Sequence, residues 1–271
     1  MRSHARGATL YSPPESFNSM AISNPHFDAV SREYDRGRVS EDILFWAREA
    51  ERLSGVGPGS LVVDMGCGTG NYGFGIRTQT GAVVIGFDPS DGMLRQAYEK
   101  TPDFPVIRAE AERMPLRGGV FDLSYAAQVW HHVRGRGEAA RELYRIARRG
   151  GCHIAHTIGH SQIRNKVVFR FFPEIMAGQL AAYPSDGEFD AILRQAGFAS
   201  MEKYPYVMER YQTPDEFIEI AEKRLWSMFR PITREGLEKG VAELREWKRD
   251  HNDEPIRNDE MITLFVARRV D

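Results

Sequence analysis

Short apolar runs alternate with amphipathic stretches through the middle of the chain. Leu61-Val62-Val63, Ala82 to Phe87, Phe104 to Ile107, Phe121 to Ala126 and Cys152 to Ile158 predict buried strands. Asn71 to Thr78, Asp91 to Lys100 and Glu138 to Arg148 predict the helices between them. Strands alternating with helices predict a parallel sheet covered on both faces and joined by right-handed crossovers. Upstream, Ser40 followed by Glu41 and Asp42 marks a helix start with acids in the first turn, where the helix dipole favours them. That helix should run to about Ser54 and stop at Gly55-Val56-Gly57-Pro58-Gly59. Asn24-Pro25 predicts a short earlier helix through Phe27, Val30 and Tyr34. Residues 1–24 show no periodicity and read as a mobile arm ahead of one domain spanning 25–271.

After Gly159 the alternation loosens. Gln162 to Ala182 is rich in aromatic and apolar residues, and Gly187 to Ala196 reads as a helix ended by Gly197. Thr213-Pro214-Asp215-Glu216 has capping-box spacing with proline at the first helical position. Two helices should follow, one to about Phe229 and one from Thr233 to Arg249, before a last strand from Met261 to Val266. The expected plan is a doubly wound sheet interrupted near its end by helices, with helical cap elements at 25–54, 160–183 and 213–250.

The composition is that of an ordinary globular protein. Over 271 residues, 42% are hydrophobic and 27% charged, which excludes wholesale disorder. The 36 Lys and Arg against 38 Asp and Glu argue against nucleic acid as a general partner. Two cysteines, Cys67 and Cys152, are too few for a disulfide framework, so a reducing, cytoplasmic setting is expected. No run approaches the roughly 18 apolar residues of a membrane span.

Candidate chemistry is concentrated at the strand exits. Val62-Val63-Asp64-Met65-Gly66-Cys67-Gly68-Thr69-Gly70 takes the first strand into a glycine-dense turn, the usual place for a nucleotide-like ligand in such a sheet. Two readings compete. Gly68-x-Gly70-x-x-Gly73, with Asp88 twenty residues past Gly68, fits a dinucleotide fingerprint. Alternatively, Asp64 ahead of the glycines would repel a pyrophosphate and suits a ligand with a cationic amine, such as S-adenosylmethionine. Ile85-Gly86-Phe87-Asp88-Pro89-Ser90 places an acid where ribose hydroxyls would lie, or where a helix needs an N-cap. Two further blocks follow, Ala109-Glu110-Ala111-Glu112-Arg113-Met114-Pro115-Leu116 and Phe121 to Val133, the second ending in Trp130-His131-His132.

In order and spacing, these four blocks resemble the class I S-adenosylmethionine-dependent methyltransferases, and most closely the type 11 group that includes ubiquinone and menaquinone biosynthesis enzymes. The resemblance covers about residues 27 to 159, with weaker support from Gly197-Phe198 and the last strand. It implies a Rossmann-like, mostly parallel seven-stranded sheet with an antiparallel last strand. It also implies S-adenosylmethionine as cofactor, a small-molecule acceptor methylated at O or N, and C-methylation of a quinone-like ring as the alternative. An NAD-binding oxidoreductase and a non-catalytic methyltransferase-like module are the readings from other classes. The donor-binding set it implies is Tyr34, Arg38, Asp64, Gly66, Cys67, Gly68, Asp88, Pro89, Met93, Glu110, Ala111, Glu112, Ala126 and Gln128. Within that set Tyr34 and Arg38 would reach the methionine carboxylate, Asp64 its amine, and Glu110 with Ala111 the adenine. The chain departs from the group's pattern in three places. Glu110 replaces an aspartate, Trp130 a leucine, and Val39 the proline of the N-terminal Tyr-Asp motif.

Methyl transfer from a sulfonium mainly needs in-line geometry and a dry pocket, with a base only for an unactivated acceptor. His131 is the candidate catalytic residue, with His132 beside it. His153 and His156, three apart on a strand, should face opposite ways and make a poor metal pair, so no metal site is expected. The aromatics from Phe169 to Tyr183 read either as a lid over the acceptor or as core for the inserted helices. Arg141, Arg145 and Arg148 read as a solvated stripe, and neither cysteine is assigned a catalytic role. A homodimer is left open.

Overall fold

The computed structural model describes Phe27, Ser31 and residues 40–199 and 201–271. The N-terminal arm, Tyr34 and Arg38 lie outside the described residues. The alternating segment folds as α1 (Ser40–Ser54), β1 (Leu61–Met65), α2 (Asn71–Thr80), β2 (Val83–Asp88), α3 (Asp91–Lys100), β3 (Val106–Arg108), β4 (Phe121–Ala127), α4 (Arg136–Ile146) and β5 (Ala147–Thr157). The rest is α5 (His160–Arg164), α6 (Val168–Phe171), α7 (Glu174–Ala182), α8 (Asp186–Ala196), β6 (Met201–Met208), β7 (Tyr211–Gln212), α9 (Pro214–Glu222), α10 (Arg234–Asp250), β8 (Ile256–Arg257) and β9 (Glu260–Arg268).

Seven strands form one sheet in the order β3-β2-β1-β4-β5-β9-β6, and β7 pairs with β8 apart from it. β1 to β5 pair in parallel, while β9 runs antiparallel between β5 and β6. The expected doubly wound sheet is therefore present. Period-two alternation divides its core. Val63, Met65, Ile85 and Phe87 pack toward α4 and α8, while Val62 and Val84 pack toward Trp46 of α1 and Ile76 of α2.

β6 was not foreseen. Its sequence Met-Glu-Lys-Tyr-Pro-Tyr-Val-Met carries charge and a proline, and its residues are only exposed or half-buried. This is the composition of an edge strand guarded against pairing with other chains, and it hides the apolar signal that marks a buried strand.

A third core joins α5, α6, α7, α9 and α10 through Phe169, Phe172, Phe217, Phe229 and Leu244, and reaches the sheet at Ile158 and Met261. The capping box at Thr213 forms as the spacing predicts, with Glu216 N–H donating to Thr213 Oγ1 at 3.2 Å and Thr213 N–H to Glu216 Oε2 at 2.9 Å. α9 ends at Glu222, earlier than expected, and a short 3-10 turn at Ser227–Phe229 follows. α1 does not belong to this helical group. It packs on the sheet beside α2, because Trp46, Ala47, Ala50 and Leu53 form its apolar stripe.

Candidate active site

The turn after β1 is built on left-handed glycines. Gly66, Gly68 and Gly70 have φ of 65°, 53° and 83°, where a Cβ is strained. A Cβ on Gly66 would lie 2.6 Å from Val129, so this glycine lets the first loop close against the β4 exit. A Cβ on Gly68 would meet nothing within 4 Å, so the peptide there faces open space.

Asp64 is buried at the end of β1, and its Oδ2 accepts the Gly73 N–H of α2 at 2.9 Å. A Cβ on Gly73 would fall 2.7 Å from that oxygen and 2.6 Å from Phe104, so the third glycine of the fingerprint serves helix packing. Burial pushes the Asp64 pKa up to about 7, against the Gly73 hydrogen bond and with the Asp88 charge adding to the rise. A buried carboxyl so poised favours a cationic partner over a pyrophosphate.

Asp88 is more committed than its sequence suggested. Its Oδ2 accepts Gly68 N–H at 3.0 Å and its Oδ1 accepts Ser90 N–H at 2.8 Å. It is 9% exposed, rather than lying at an open strand end. Each carboxylate oxygen has two acceptor directions, so the residue can brace the turn and still accept hydroxyls. Pro89 is half-buried beside it, and Met93 lies buried in α3 with its N–H on Ser90 Oγ at 3.2 Å.

Several residues of the expected donor set have other tasks. The Cys67 side chain turns beneath the loop, where a Cβ on Gly86 would meet its Sγ at 2.8 Å, and burial raises its thiol pKa. Ala111 and Ala126 are core residues. Glu112 Oε1 accepts Gly135 N–H at 2.8 Å and so anchors the start of α4. Glu110 forms a β-bridge with Arg113 and is half-buried at the β3 exit.

At the β4 exit, Gln128 takes a left-handed backbone, φ 55°, and its N–H donates to His156 O at 2.8 Å. A non-glycine residue in this region is an uncommon, strained choice that tends to mark functional loops. The two strand histidines do face opposite ways. His153 accepts the Trp130 indole N–H on Nε2 at 3.0 Å, which places its proton on Nδ1 for Ser124 Oγ, also at 3.0 Å. Burial drives the His153 pKa down to about 3. Trp130 thus replaces a leucine where a buried histidine can satisfy its N–H. On the other face His156 Nδ1 meets Tyr125 OH at 2.8 Å and its ring packs on Trp46 and Tyr72.

His131 is the inward member of its pair. Its ring stacks on Tyr183 at 4.2 Å and 20°, while His132 is exposed and packs edge-on against Phe27. The Nδ1 of His131 is buried with no hydrogen-bond partner among the described residues. Burial, then the His132 and Arg136 charges, lower its pKa to about 3, so the ring is neutral. Tyr183, from the end of the expected lid, is the aromatic that reaches this site; Phe169, Phe171, Phe172 and Ile175 are core of the helical group. Arg136 and the Tyr125–His156 pair were not singled out in the sequence, because a lone arginine and a strand tyrosine carry no motif.

Arg141, Arg145 and Arg148 pair with Glu138, Glu142 and Asp122, so the stripe is neutralised surface. Among the described residues no cluster of three His, Cys, Asp or Glu could hold a metal, and no helix is long and apolar enough to cross a membrane.

Comparison with known proteins agrees with this geometry. Residues 63–155 match the family model of a methyltransferase domain. The demethylmenaquinone methyltransferase of Streptomyces avermitilis is 25% identical over 200 residues, 65% of this chain and 85% of that protein. The malonyl-[acyl-carrier protein] O-methyltransferase of Legionella pneumophila is 34% identical over 150 residues, and the match spans only 52% of each protein. In fold, the chain is similar to an Anabaena variabilis protein attributed to methyl transfer in antibiotic biosynthesis, with TM-score 0.66 and 20% identity over 82% of this chain and 95% of that one. With the glycine cradle, the paired acids at the ends of β1 and β2 and the sheet order, the domain match over 63–155 and the shared fold support a class I S-adenosylmethionine-dependent methyltransferase.

Proposed function

We propose that the chain methylates O or N of a small, flat acceptor, which His131 orients through a hydrogen bond. The observation that carries this reading is the buried, unpartnered Nδ1 of a neutral imidazole stacked on Tyr183 at the β4 exit. An unmet buried polar atom costs stability and calls for an explanation. An acceptor hydroxyl or amine supplies the missing partner.

The cradle residues fit S-adenosylmethionine. Asp64, Gly66, Gly68, Asp88 and Glu110 would hold it, joined by Tyr34 and Arg38 on the family resemblance. Bound there, the donor supplies an electrophilic methyl group on a sulfonium. The open face at Gly68 leaves room for it, and the Asp64 carboxyl, part protonated when free, ionises against its amine. His131 fixes the direction of an acceptor lone pair, and its stacked faces keep water off that atom. An imidazole with a pKa of about 3 is a poor base, so the acceptor proton passes to water at the mouth of the site.

A second reading, C-methylation of a quinone-like ring, is supported by the Streptomyces avermitilis relative and by the Tyr183 ring stacked on His131. The test is incubation with S-adenosylmethionine and a panel of ring hydroxyl, ring amine and demethylquinone compounds. Mass spectrometry and NMR of the products then locate the new methyl. Transfer to O or N supports the proposal; transfer to ring carbon alone, or to none of the panel, refutes it.

A further inference from the structure

We propose that Arg136 is a positioning residue for methyl transfer, because it bridges the loop carrying His131 to the helix that ends at Tyr183. Its Nε donates to Trp130 O at 3.3 Å, one residue before His131. Its Nη2 donates to Ala182 O, one residue before Tyr183. One guanidinium therefore sets the separation of the two rings that stack at 4.2 Å. The assignment rests on reading His131 as the acceptor contact.

The placement of Arg136 runs against its own helix. It is the first residue of α4, after an N-cap that makes no side-chain hydrogen bond. A cation there opposes the helix dipole. It forms no ion pair with a carboxylate among the described residues. What it gains lies across the gap. α7 has no basic residue in its last turn, and Ala182 is its last residue, so Arg136 brings the positive charge that this C-terminus lacks. Such a break with local preference is expected where function dictates the residue.

Two further contacts hold Tyr183 in the same pose. His160 Nε2 donates to Tyr183 O at 2.9 Å, and Tyr183 OH points to Gln128 Oε1 at 3.5 Å. The Tyr183 ring also packs against the core of the helical group. The ring is thus located by both the sheet and the helices, and among the described residues only Arg136 bonds to the backbone of both the His131 loop and α7. A planar fork suits two carbonyls; a lysine reaches one at a time.

The test reads the ring stack directly. In the full-length protein at pH 7, the carbon-bound imidazole protons of His131, assigned by their loss in His131→Asn, should be displaced upfield by the Tyr183 ring. Tyr183→Leu should abolish that displacement. Arg136→Gln should abolish it too, and Arg136→Lys should keep part of it. Calorimetry with S-adenosylmethionine should give dissociation constants within twofold of wild type for Tyr183→Leu, Arg136→Gln and Arg136→Lys. For any acceptor the wild type methylates, Arg136→Gln should lower kcat/KM by roughly 2- to 15-fold, no more than His131→Asn does. An unchanged His131 signal in Arg136→Gln, or a loss of donor affinity matching the loss of the stack, overturns the proposal. If Arg136→Gln does not fold, Arg136→Lys with a full wild-type displacement overturns it equally. The ring signal needs no acceptor, so failure to find methyl transfer would count against the proposed activity and not against the bridge.

Discussion

At the scale of single residues, three groups are held away from their usual charge state, Asp64 and the histidines His131 and His153. Asp64 has its pKa raised to about 7, so the folded protein keeps a proton that the unfolded chain loses above about pH 4. Its contribution to stability must therefore fall as pH rises from about 4 to about 7, by roughly 3–5 kcal/mol for a shift of this size. His153 acts in the opposite sense. Its pKa is lowered to about 3, so the unfolded chain takes up a proton below about 6.5 that the folded protein refuses, and stability is lost as pH falls. His131 adds to the histidine slope, and between about pH 4 and 6.5 that slope opposes the one from Asp64. Asp64→Asn should leave the histidine slope alone, so that denaturant-measured stability rises more steeply with pH in the variant than in wild type. Equal slopes would show that Asp64 is ionised throughout. The same proton links to the donor. Binding a cationic amine should release it, so affinity for S-adenosylmethionine should tighten from pH 6 to 8 in wild type and lose that dependence in Asp64→Asn.

His131 belongs at this scale as well. A neutral ring that orients an acceptor is worth about one hydrogen bond, so His131→Asn should slow turnover by roughly 2- to 15-fold, as 0.5–1.5 kcal/mol implies. The pH–rate profile should keep its shape. Loss of a limb near pH 6.5 in the variant would instead make His131 the base. The neighbouring histidines show why sequence stops short here. Which of His131 and His132 turns inward depends on Tyr183, some fifty residues away, and on burial that no local pattern records.

At the scale of elements, legibility followed burial. β1, β2, β4 and the later part of β5 announce themselves because both of their faces are covered, which demands near-continuous apolar runs, whereas β3 at the sheet edge is only half-buried or exposed. β6 was silent because an edge strand is selected for charge and proline. The glycine turn was legible as a cradle, but its third glycine was not. Gly73 fits the dinucleotide fingerprint, yet its missing Cβ makes room for Phe104 and the Asp64 carboxylate. Gly73→Ala should therefore break the hydrogen bond to Asp64 and loosen the start of α2. We expect a loss of at least 1–3 kcal/mol, the cost of leaving a buried carboxyl partner unmet, with donor affinity falling in parallel. Gly187→Ala, where a Cβ meets nothing within 4 Å, is the control and should be silent in both measurements. If Gly73→Ala binds the donor normally, the turn does not depend on the Asp64 brace.

At the scale of the molecule, the chain has two kinds of core. Two cover the faces of one sheet and place the donor cradle; the third joins helices from either side of β6 and meets the sheet near Ile158 and Met261. Segments 25–54, 160–183 and 213–250 were expected to cap the site; the helices of the last two share the third core. None of the cradle residues belongs to it. Damage to this core should therefore reach the acceptor side through Tyr183 and spare the donor. Leu244 is fully buried there, so Leu244→Ala should cost roughly 2–5 kcal/mol. Structures open in cooperative sub-units when their cores are separate. Hydrogen exchange in the variant should then rise across 160–183 and 213–250 while β1, β2 and β4 stay protected, and S-adenosylmethionine should bind with unchanged affinity. Methyl transfer should fall with the loss of the Tyr183 pose. Val63→Ala, in the sheet core, should do the reverse and weaken donor binding together with global stability. Uniform exchange over the whole chain in Leu244→Ala, with donor affinity lost, would show a single cooperative unit in which the helices also shape the cradle.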